Sequence, residues 1–89
     1  MKISLAMIVK NEEKSVTKCI LNAKKIVDEI VVVDTGSTDS TLKVLKEFSH
    51  INLFRFQWEN DFSKARNFAI EQCTGDYILV LDADEYVTF

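Results

Sequence analysis

Acidic residues follow the most apolar runs of this 89-residue chain. Asp82 and Asp84 come just after the run YILVL, and Asp34 comes directly after the run IVVV. Carboxylates crowded at one edge of a fold repel one another by roughly a few kcal/mol per close pair, at an effective dielectric of about 20. A divalent cation such as Mg or Mn relieves that repulsion and keeps open positions for phosphate oxygens. The pattern therefore predicts Asp82 and Asp84 as metal ligands in a diphosphate site.

A simpler interpretation of Asp-Ala-Asp-Glu at residues 82–85 is a solvated turn after a strand. The other apolar runs favour a binding site over a solvated turn, because each of them is also followed by acidic residues. Asn11, Glu12 and Glu13 follow the first run, residues 34–39 follow the second, and the third precedes Asp61.

Asp34-Thr35-Gly36-Ser37 is, on its own, the signature of an aspartic protease. Such a protease is an all-β protein with hairpins that require glycine and proline, whereas this chain has two glycines and no proline. It also has three stretches of helical period. A four-residue motif counts only in its required structural context, so the protease interpretation is rejected.

Apolar periodicity predicts four strands alternating with three helices. Apolar runs at residues 3–9, 30–33 and 77–81 indicate strands, and residues 51–58 alternate like an edge strand that is wet on one face. The order β-α-β-α-β-α-β predicts an α/β fold, a Rossmann-like three-layer α/β/α sandwich around a mostly parallel sheet with strand order 3-2-1-4. Ligands of such sheets bind beyond the carboxyl ends of the strands.

Polar residues at the strand ends predict where two of the helices begin. Asn11, followed by two glutamates, is typical of a helix start, and Asn60 or Asp61 can cap the third helix. The strand order places the first two helices on one face of the sheet and the third on the other. Cys19 and Cys73 are therefore expected to be reduced thiols that cannot form a disulfide within one chain.

Composition indicates a single globular domain. Apolar residues make up 47% and charged residues 28%, which excludes a disordered or low-complexity chain. The net charge is -3 and there is no run of lysine or arginine, so the sequence does not indicate binding to nucleic acid or to anionic lipid. The apolar stretch at the N-terminus is too short to span a membrane and has no cleavage site, so it predicts a first strand and a cytoplasmic protein.

The chain resembles the N-terminal, nucleotide-binding half of the family 2 glycosyltransferases in four segments: MIVKNEE, DEIVVVDTGSTDST, WENDFSKARNFA and GDYILVLDADE. Each segment alone is weak, but the four together, in this order and spacing, are specific. The resemblance covers residues 1–89 as a single partial domain. It implies the A-type glycosyltransferase fold, a nucleotide-sugar donor such as a uridine diphosphate (UDP) sugar, and Mg or Mn.

The resemblance also implies which residues hold the nucleoside. Asn11 and Glu12 or Glu13 match positions that contact the ribose and base, with helix capping as the simpler role of Asn11. Asp34 matches an aspartate that accepts a hydrogen bond from the uracil ring, with a turn-stabilising role as the alternative. Thr35 stands where the family frequently has a second aspartate, so this chain lacks whatever that acid contributes.

Charged residues complete the implied donor site. Asp82 matches a ligand of ribose or metal, and Asp84 matches the ligand of a metal that bridges both phosphates. Arg66 matches the arginine of the family's third helix, where it meets the base or a phosphate, with a surface ion pair as the alternative. Asp39 is expected to cap the second helix rather than to contact a ligand.

The implied reaction is transfer of the sugar to an unknown acceptor with inversion at the sugar carbon, assisted by metal. No residue of this chain matches the catalytic base, which is expected beyond Phe89. The fourth strand lacks the charges or proline that protect a sheet edge, which predicts that these residues are part of a longer enzyme. This piece alone is expected to form a homodimer through that edge or to aggregate. The alternative function is a non-catalytic Mg-binding α/β module with a regulatory or scaffold role.

Overall fold

A computed structural model describes residues 1–56 and 62–82, with the backbone alone for Phe62 and Asp82. Strands and helices alternate along these residues, which confirms the predicted order. The elements are β1 (Ile3–Val9), α1 (Val16–Ala23), β2 (Glu29–Asp34), α2 (Thr41–Lys46), β3 (Ile51–Arg55), α3 (Phe62–Glu71) and β4 (Tyr77–Asp82).

The four strands form one parallel sheet in the order β3-β2-β1-β4, as the sequence predicts. β1 is a central strand, paired with β2 on one side and with β4 on the other. Val9 at the end of β1 pairs with Asp34, and Ile8 pairs with Asp82. Both aspartates therefore lie at the carboxyl edge of the sheet, where the loops into α1 and α2 also begin.

Two apolar layers cover the sheet because alternate strand residues face opposite sides. Leu5 and Met7 of β1 pack with the buried residues of α1 and with Leu45 of α2 on one face. Val31 and Val33 of β2 pack with Ala69 of α3 on the other face. Burial of a leucine, valine or methionine side chain contributes about 1.5–3 kcal/mol, so these layers hold the carboxyl edge in place.

Phe54 of β3 and Phe56, just after the strand, are partly buried and pack against the core. Phe54 meets Phe68 of α3 edge-on, with ring centroids 5.9 Å apart, and Phe56 lies 5.0 Å from the same ring. Ile51 and Leu53 pack against the core on the other face of the sheet, so the prediction that this strand is wet on one face is wrong. The strand itself ends at Arg55. Trp58, the third aromatic residue of the predicted strand, lies outside the described residues, as do the proposed helix caps Asn60 and Asp61.

The start of α1 differs from the prediction. The helix begins at Val16, five residues after Asn11, and the backbone N–H groups of Ser15 and Val16 donate to the Glu12 carbonyl in a turn that precedes it. Asn11 has a φ of 54°, in the left-handed region that asparagine tolerates better than most residues. Asn11 therefore does not cap α1.

Cys19 and Cys73 are both reduced, as expected, and they pack on opposite faces of the sheet, so they do not form a disulfide with each other. Cys19 is buried in α1. Burial, helped by the negative charge of Glu29, raises the pKa of the Cys73 thiol.

Across the described parts of the chain, no helix is both long and apolar enough to cross a membrane. The cytoplasmic location stays a prediction.

Candidate functional site at the carboxyl edge of the sheet

Asp34 is the most unusual residue of the carboxyl edge because its carboxylate is buried with only one oxygen paired. The residue is 1% exposed. Its Oδ1 accepts hydrogen bonds from the backbone N–H groups of Gly36 and Ser37, each at 2.9 Å. Its Oδ2 has no hydrogen-bond partner among the described residues. The turn-stabilising role therefore accounts for one oxygen of Asp34 and leaves the other for a donor.

Gly36 allows this turn to form. Its φ of 118° lies where residues with a Cβ are strained, yet a Cβ placed there would meet no atom within 4 Å. The glycine thus serves the backbone conformation rather than a close contact. That conformation directs the N–H groups of the loop back onto Asp34 Oδ1.

Thr35 anchors the end of β2 to the central strand. Both its backbone N–H and its hydroxyl donate to the Val9 carbonyl, at 3.0 and 3.2 Å. The side chain is 1% exposed, so it stabilises the sheet edge from the inside. The sequence identified Thr35 only as a departure from the family pattern, and no local signal indicated this structural role.

Asn11 joins the loop after β1 to the loop after β2. Its Oδ1 accepts the backbone N–H groups of Thr38 at 2.7 Å and Asp39 at 3.2 Å, and its own N–H donates to Ser37 Oγ at 3.0 Å. The side-chain oxygen is thereby committed to protein contacts. Asn11 holds in place the loop that supplies the donors to Asp34.

A second set of contacts fixes the loop between β2 and α2. The Asp39 carboxylate accepts the backbone N–H of Thr41 at 2.9 Å. The N-cap of α2 is Ser40, without a side-chain capping hydrogen bond, so the prediction that Asp39 caps this helix is wrong and Asp39 instead stabilises the turn before it. The Thr41 hydroxyl also donates to Asp39 Oδ1 and accepts the backbone N–H of Glu12, at 2.9 Å. The hydrogen bond from the Thr41 hydroxyl, with backbone N–H groups of Thr41 and Glu13, holds the pKa of Asp39 below its ordinary value.

An open cavity of about 240 Å³ lies between these two loops. Its polar lining combines acids, a lysine and backbone groups at the start of the turn before α1. The lining residues are Asn11, Glu12, Glu13, Lys14, Ser15 and Asp39. The structure therefore brings Asn11, Glu12 and Glu13 together beside the loop that follows Asp34.

Of the other predicted site residues, Asp82, Asp84 and Arg66, only Arg66 has a described side chain, and it does not line this cavity. Asp82 ends β4 at the same edge of the sheet, with its backbone alone described, and Asp84 lies outside the described residues. Arg66 is exposed on α3, on the opposite face from α1 and α2. Residues 1–56 and 62–82 contain no group of three or more His, Cys, Asp or Glu side chains able to hold a metal ion. Metal binding by Asp82 and Asp84 thus stays a prediction.

Comparison with known proteins gives matches over nearly the whole chain. The family model described as Glycosyl transferase family 2 matches residues 4–89. A TPR repeat-containing protein of Synechococcus elongatus is 48% identical over 94% of this chain, and the SPbeta prophage-derived glycosyltransferase SunS of Bacillus subtilis is 41% identical over 92%. This chain spans only 21% and 20% of those two relatives.

Two solved structures share the fold. TarS 1–349 of Staphylococcus aureus superimposes with a TM-score of 0.79 and 35% identity, over 97% of this chain and 28% of that one. Glucosyl-3-phosphoglycerate synthase of Mycobacterium tuberculosis, solved in complex with UDP, superimposes with a TM-score of 0.73 and 25% identity, over 94% of this chain and 34% of that one.

Proposed function

Because the chain belongs to glycosyltransferase family 2, we propose that residues 1–89 form the donor-binding part of a glycosyltransferase that uses a nucleoside diphosphate sugar. The sheet is that of the A-type glycosyltransferase fold, which its solved relatives share. The donor binds at the carboxyl edge of the sheet, where ligands of parallel α/β sheets are generally found. Residues 1–89 act as one partial domain, to which an acceptor-binding region is added.

One observation carries the proposal: Asp34 Oδ2 is buried without a partner among the described residues, at the end of a central strand. A buried polar atom left unpaired costs about 1–3 kcal/mol, and more if it is charged. A ligand that donates an N–H group to this oxygen removes that cost. The uracil ring of UDP has such a donor at N3, so the base binds against Asp34.

A known relative supports uracil as the base. The glucosyl-3-phosphoglycerate synthase that shares this fold is described in complex with UDP. Ribose then lies over the loop after β1, where Glu12 and Glu13 line the open cavity. Asn11 contributes chiefly by holding the neighbouring loop, because its Oδ1 already accepts two backbone N–H groups.

The diphosphate extends from Asp34 across β1 towards Asp82. Asp82 and Asp84 hold a divalent cation, Mg or Mn, and Arg66 approaches the base or a phosphate. Carboxylate oxygens are the ligands that such hard cations prefer. When bound, the cation neutralises charge on the diphosphate as the sugar leaves. The transfer inverts the sugar carbon, and we assign no residue of 1–89 as the catalytic base.

Calorimetric titration of the chain with UDP, with and without Mn, tests the proposed function. The expected result is binding that is at least tenfold tighter with Mn than without it. The alternative function, a Mg-binding regulatory or scaffold module, predicts that the chain binds Mn and is indifferent to UDP. Absence of UDP binding at millimolar concentration in the presence of Mn contradicts the donor-site proposal.

We also propose that the free edge of β4 is a pairing surface, and that isolated 89-residue chains dimerise through it. β1 pairs with one side of β4, and within the described residues no strand pairs with the other. Tyr77, Ile78 and Val80 on this strand are exposed by 61%, 39% and 37%. An exposed apolar edge of this kind is a template for another strand.

A further inference from the structure

A polar cluster at the amino end of the sheet joins three strands, at the opposite end from the proposed donor site. We name it the basal clamp, and it consists of Lys2, Ser4, Glu29, Thr74 and Gly75. Glu29 Oε1 accepts the Ser4 hydroxyl at 2.6 Å and the Thr74 backbone N–H at 2.8 Å. Glu29 Oε2 accepts the Thr74 hydroxyl at 3.0 Å.

The remaining contacts of the basal clamp tie the start of β4 to β1. The Gly75 N–H donates to Ser4 Oγ at 2.8 Å, and Lys2 Nζ donates to Thr74 Oγ1 at 2.6 Å. Lys2 Nζ also lies 3.8 Å from Glu29 Oε2. The Lys2 carbonyl accepts the N–H groups of Asp76 and Tyr77, the last residue before β4 and the first within it. The Glu29 side chain is only 12% exposed, whereas that of Lys2 is 46% exposed, so the carboxylate is shielded and the rim of the cluster is open to water.

The sequence of β4 does not by itself specify how the strand pairs with β1. Side chains of a strand alternate between the two faces, so a shift of one residue exchanges the faces of all of them. In most strands such a shift exposes apolar side chains and buries polar ones. Residues 77–81 of β4 are apolar at every position. Exchanging the two faces of these residues therefore buries no charged side chain and costs little free energy. Another feature must fix the pairing.

The basal clamp has the geometry to fix it. Thr74 and Gly75 lie three and two residues before Tyr77, and a shift of one residue along the strand moves the chain by about 3.3 Å. That displacement exceeds the tolerance of a hydrogen bond, so it breaks the contacts to Ser4 and Glu29 together. In the observed pairing, Asp82 lies beside Ile8 and near Asp34. The same shift moves Asp82 out of that position.

We propose that Glu29 is a positioning residue of the glycosyltransferase: through the basal clamp it sets the pairing of β4 with β1 and so places Asp82 at the donor site. The structural part, the placement of β4, rests on the contacts of the basal clamp and does not depend on the function of the chain. The consequence for the donor rests on the function proposed above. Glu29 does not touch the donor, because it lies at the other end of β2.

Strand pairing in solution tests the structural part. In the wild-type chain, nuclear Overhauser contacts between backbone protons should pair Leu5 with Leu79 and Met7 with Leu81. Glu29→Ala removes all three acceptor contacts, and we expect these signals to be lost or doubled. Glu29→Gln keeps an acceptor oxygen and should retain them, as should the matched control Glu47→Ala at the exposed end of α2. Unchanged pairing in Glu29→Ala overturns the inference.

A milder variant decides the matter if Glu29→Ala does not fold. Thr74→Val removes one hydroxyl from an exposed residue and keeps its backbone N–H. We expect it to produce a second set of β1–β4 contacts, with the remainder of the sheet unchanged. A single wild-type set of contacts in Thr74→Val, with Glu29→Ala unfolded, overturns the inference.

Binding measurements test the functional part. In Glu29→Ala, the affinity for uridine should stay within twofold of wild type, while the gain in UDP affinity on adding Mn falls at least tenfold. Equal losses for uridine and for UDP with Mn indicate general destabilisation and contradict a positioning role. If the wild-type chain binds no UDP, the proposed function fails, and the strand-pairing measurement still decides the role of Glu29.

Discussion

Asp34 and Asp82 end the two strands that flank β1, one register step apart: Asp34 pairs with Val9, and Asp82 pairs with the preceding residue, Ile8. Neighbouring strands are about 4.8 Å apart, so the two backbones lie roughly 10 Å from each other at one edge of the sheet. Residues 48 positions apart in the sequence thus share an edge because parallel crossovers bring their strands to either side of β1. This arrangement is what the donor-site proposal requires.

Asp34→Asn should change which base the site prefers. The substitution keeps an oxygen for the N–H groups of Gly36 and Ser37 and replaces the unpaired oxygen with an amide that donates. A hydrogen bond to a charged group contributes about 1.5–3 kcal/mol, so we expect UDP affinity to fall about tenfold or more. Cytidine diphosphate, whose ring nitrogen N3 accepts, should lose less or gain. Calorimetry with both nucleotides measures the ratio.

Asp28→Asn is the matched control for that substitution. Asp28 Oδ2 accepts the Ile3 backbone N–H at 2.9 Å, at the amino end of the sheet. The same chemical change there should leave the ratio of the two nucleotide affinities unaltered. An unaltered ratio in Asp34→Asn as well removes Asp34 from the base site.

The two glycines should respond to alanine for different reasons. Gly36→Ala strains the backbone at positive φ, at a cost of roughly 1–2 kcal/mol in the free energy of unfolding. Gly75→Ala places a Cβ 2.5 Å from Ser4 Oγ and 2.9 Å from the Lys2 carbonyl oxygen, and such overpacking costs about 1–3 kcal/mol. Urea denaturation of both variants measures these losses.

Combination with Ser4→Ala separates the two causes. The Ser4 hydroxyl is the nearest atom to the added Cβ at Gly75, so Gly75→Ala and Ser4→Ala should be strongly non-additive. Gly36→Ala and Ser4→Ala, at opposite ends of β1 and β2, should add. If the losses of unfolding free energy add in both pairs of variants, a clash with the Ser4 hydroxyl does not explain the effect of Gly75→Ala.

Glu29 should make the stability of the chain depend on pH in the acid range. Partial burial raises the pKa of Glu29, but hydrogen bonds from Ser4 and Thr74, with the charge of Lys2, outweigh it and hold the pKa below its ordinary value. A carboxyl whose pKa is lowered on folding stabilises above its unfolded pKa, about 4.3 for glutamate, and that contribution is lost as pH falls through the folded pKa. The difference in unfolding free energy between wild type and Glu29→Gln should therefore shrink as pH falls from 6 towards 3. A constant difference contradicts this account.

The free edge of β4 should govern self-association. Val80→Lys places a charge on the exposed strand, which natural proteins use to block edge pairing, so sedimentation equilibrium should show a shift from dimer to monomer. Leu21→Lys is the control, because Leu21 is a similarly exposed apolar residue, at 48%, on α1. A wild-type chain that stays monomeric at high concentration contradicts pairing through this edge.

Local patterns predicted the fold because each element carries its own periodicity. The runs that became β1, β2 and β4 are predominantly apolar, and the crossover rule then gives the strand order. The motif around Asp34 was identified as a site for the same reason, since it lies at a strand end. Contacts between distant residues could not be predicted. Asn11 resembles a helix cap in sequence, and only the fold brings it to Thr38 and Asp39.

The basal clamp escaped the sequence analysis for the same physical reason. Ser4, Glu29 and Thr74 are separated by 25 and 45 residues, and each is ordinary in its local context. A serine within a strand, a glutamate at a strand start and a threonine before a glycine carry no shared signal. Their common role depends on three strands that begin side by side.

The most direct test of the central claim is the location of UDP on the chain in solution. Titration of the ¹⁵N-labelled protein with UDP and Mg should shift the backbone amide signals of residues 10–13 and 34–39, while those of the basal clamp stay unchanged. Shifts confined to the amino end of the sheet, or no shifts at saturating UDP, contradict a donor site built on Asp34.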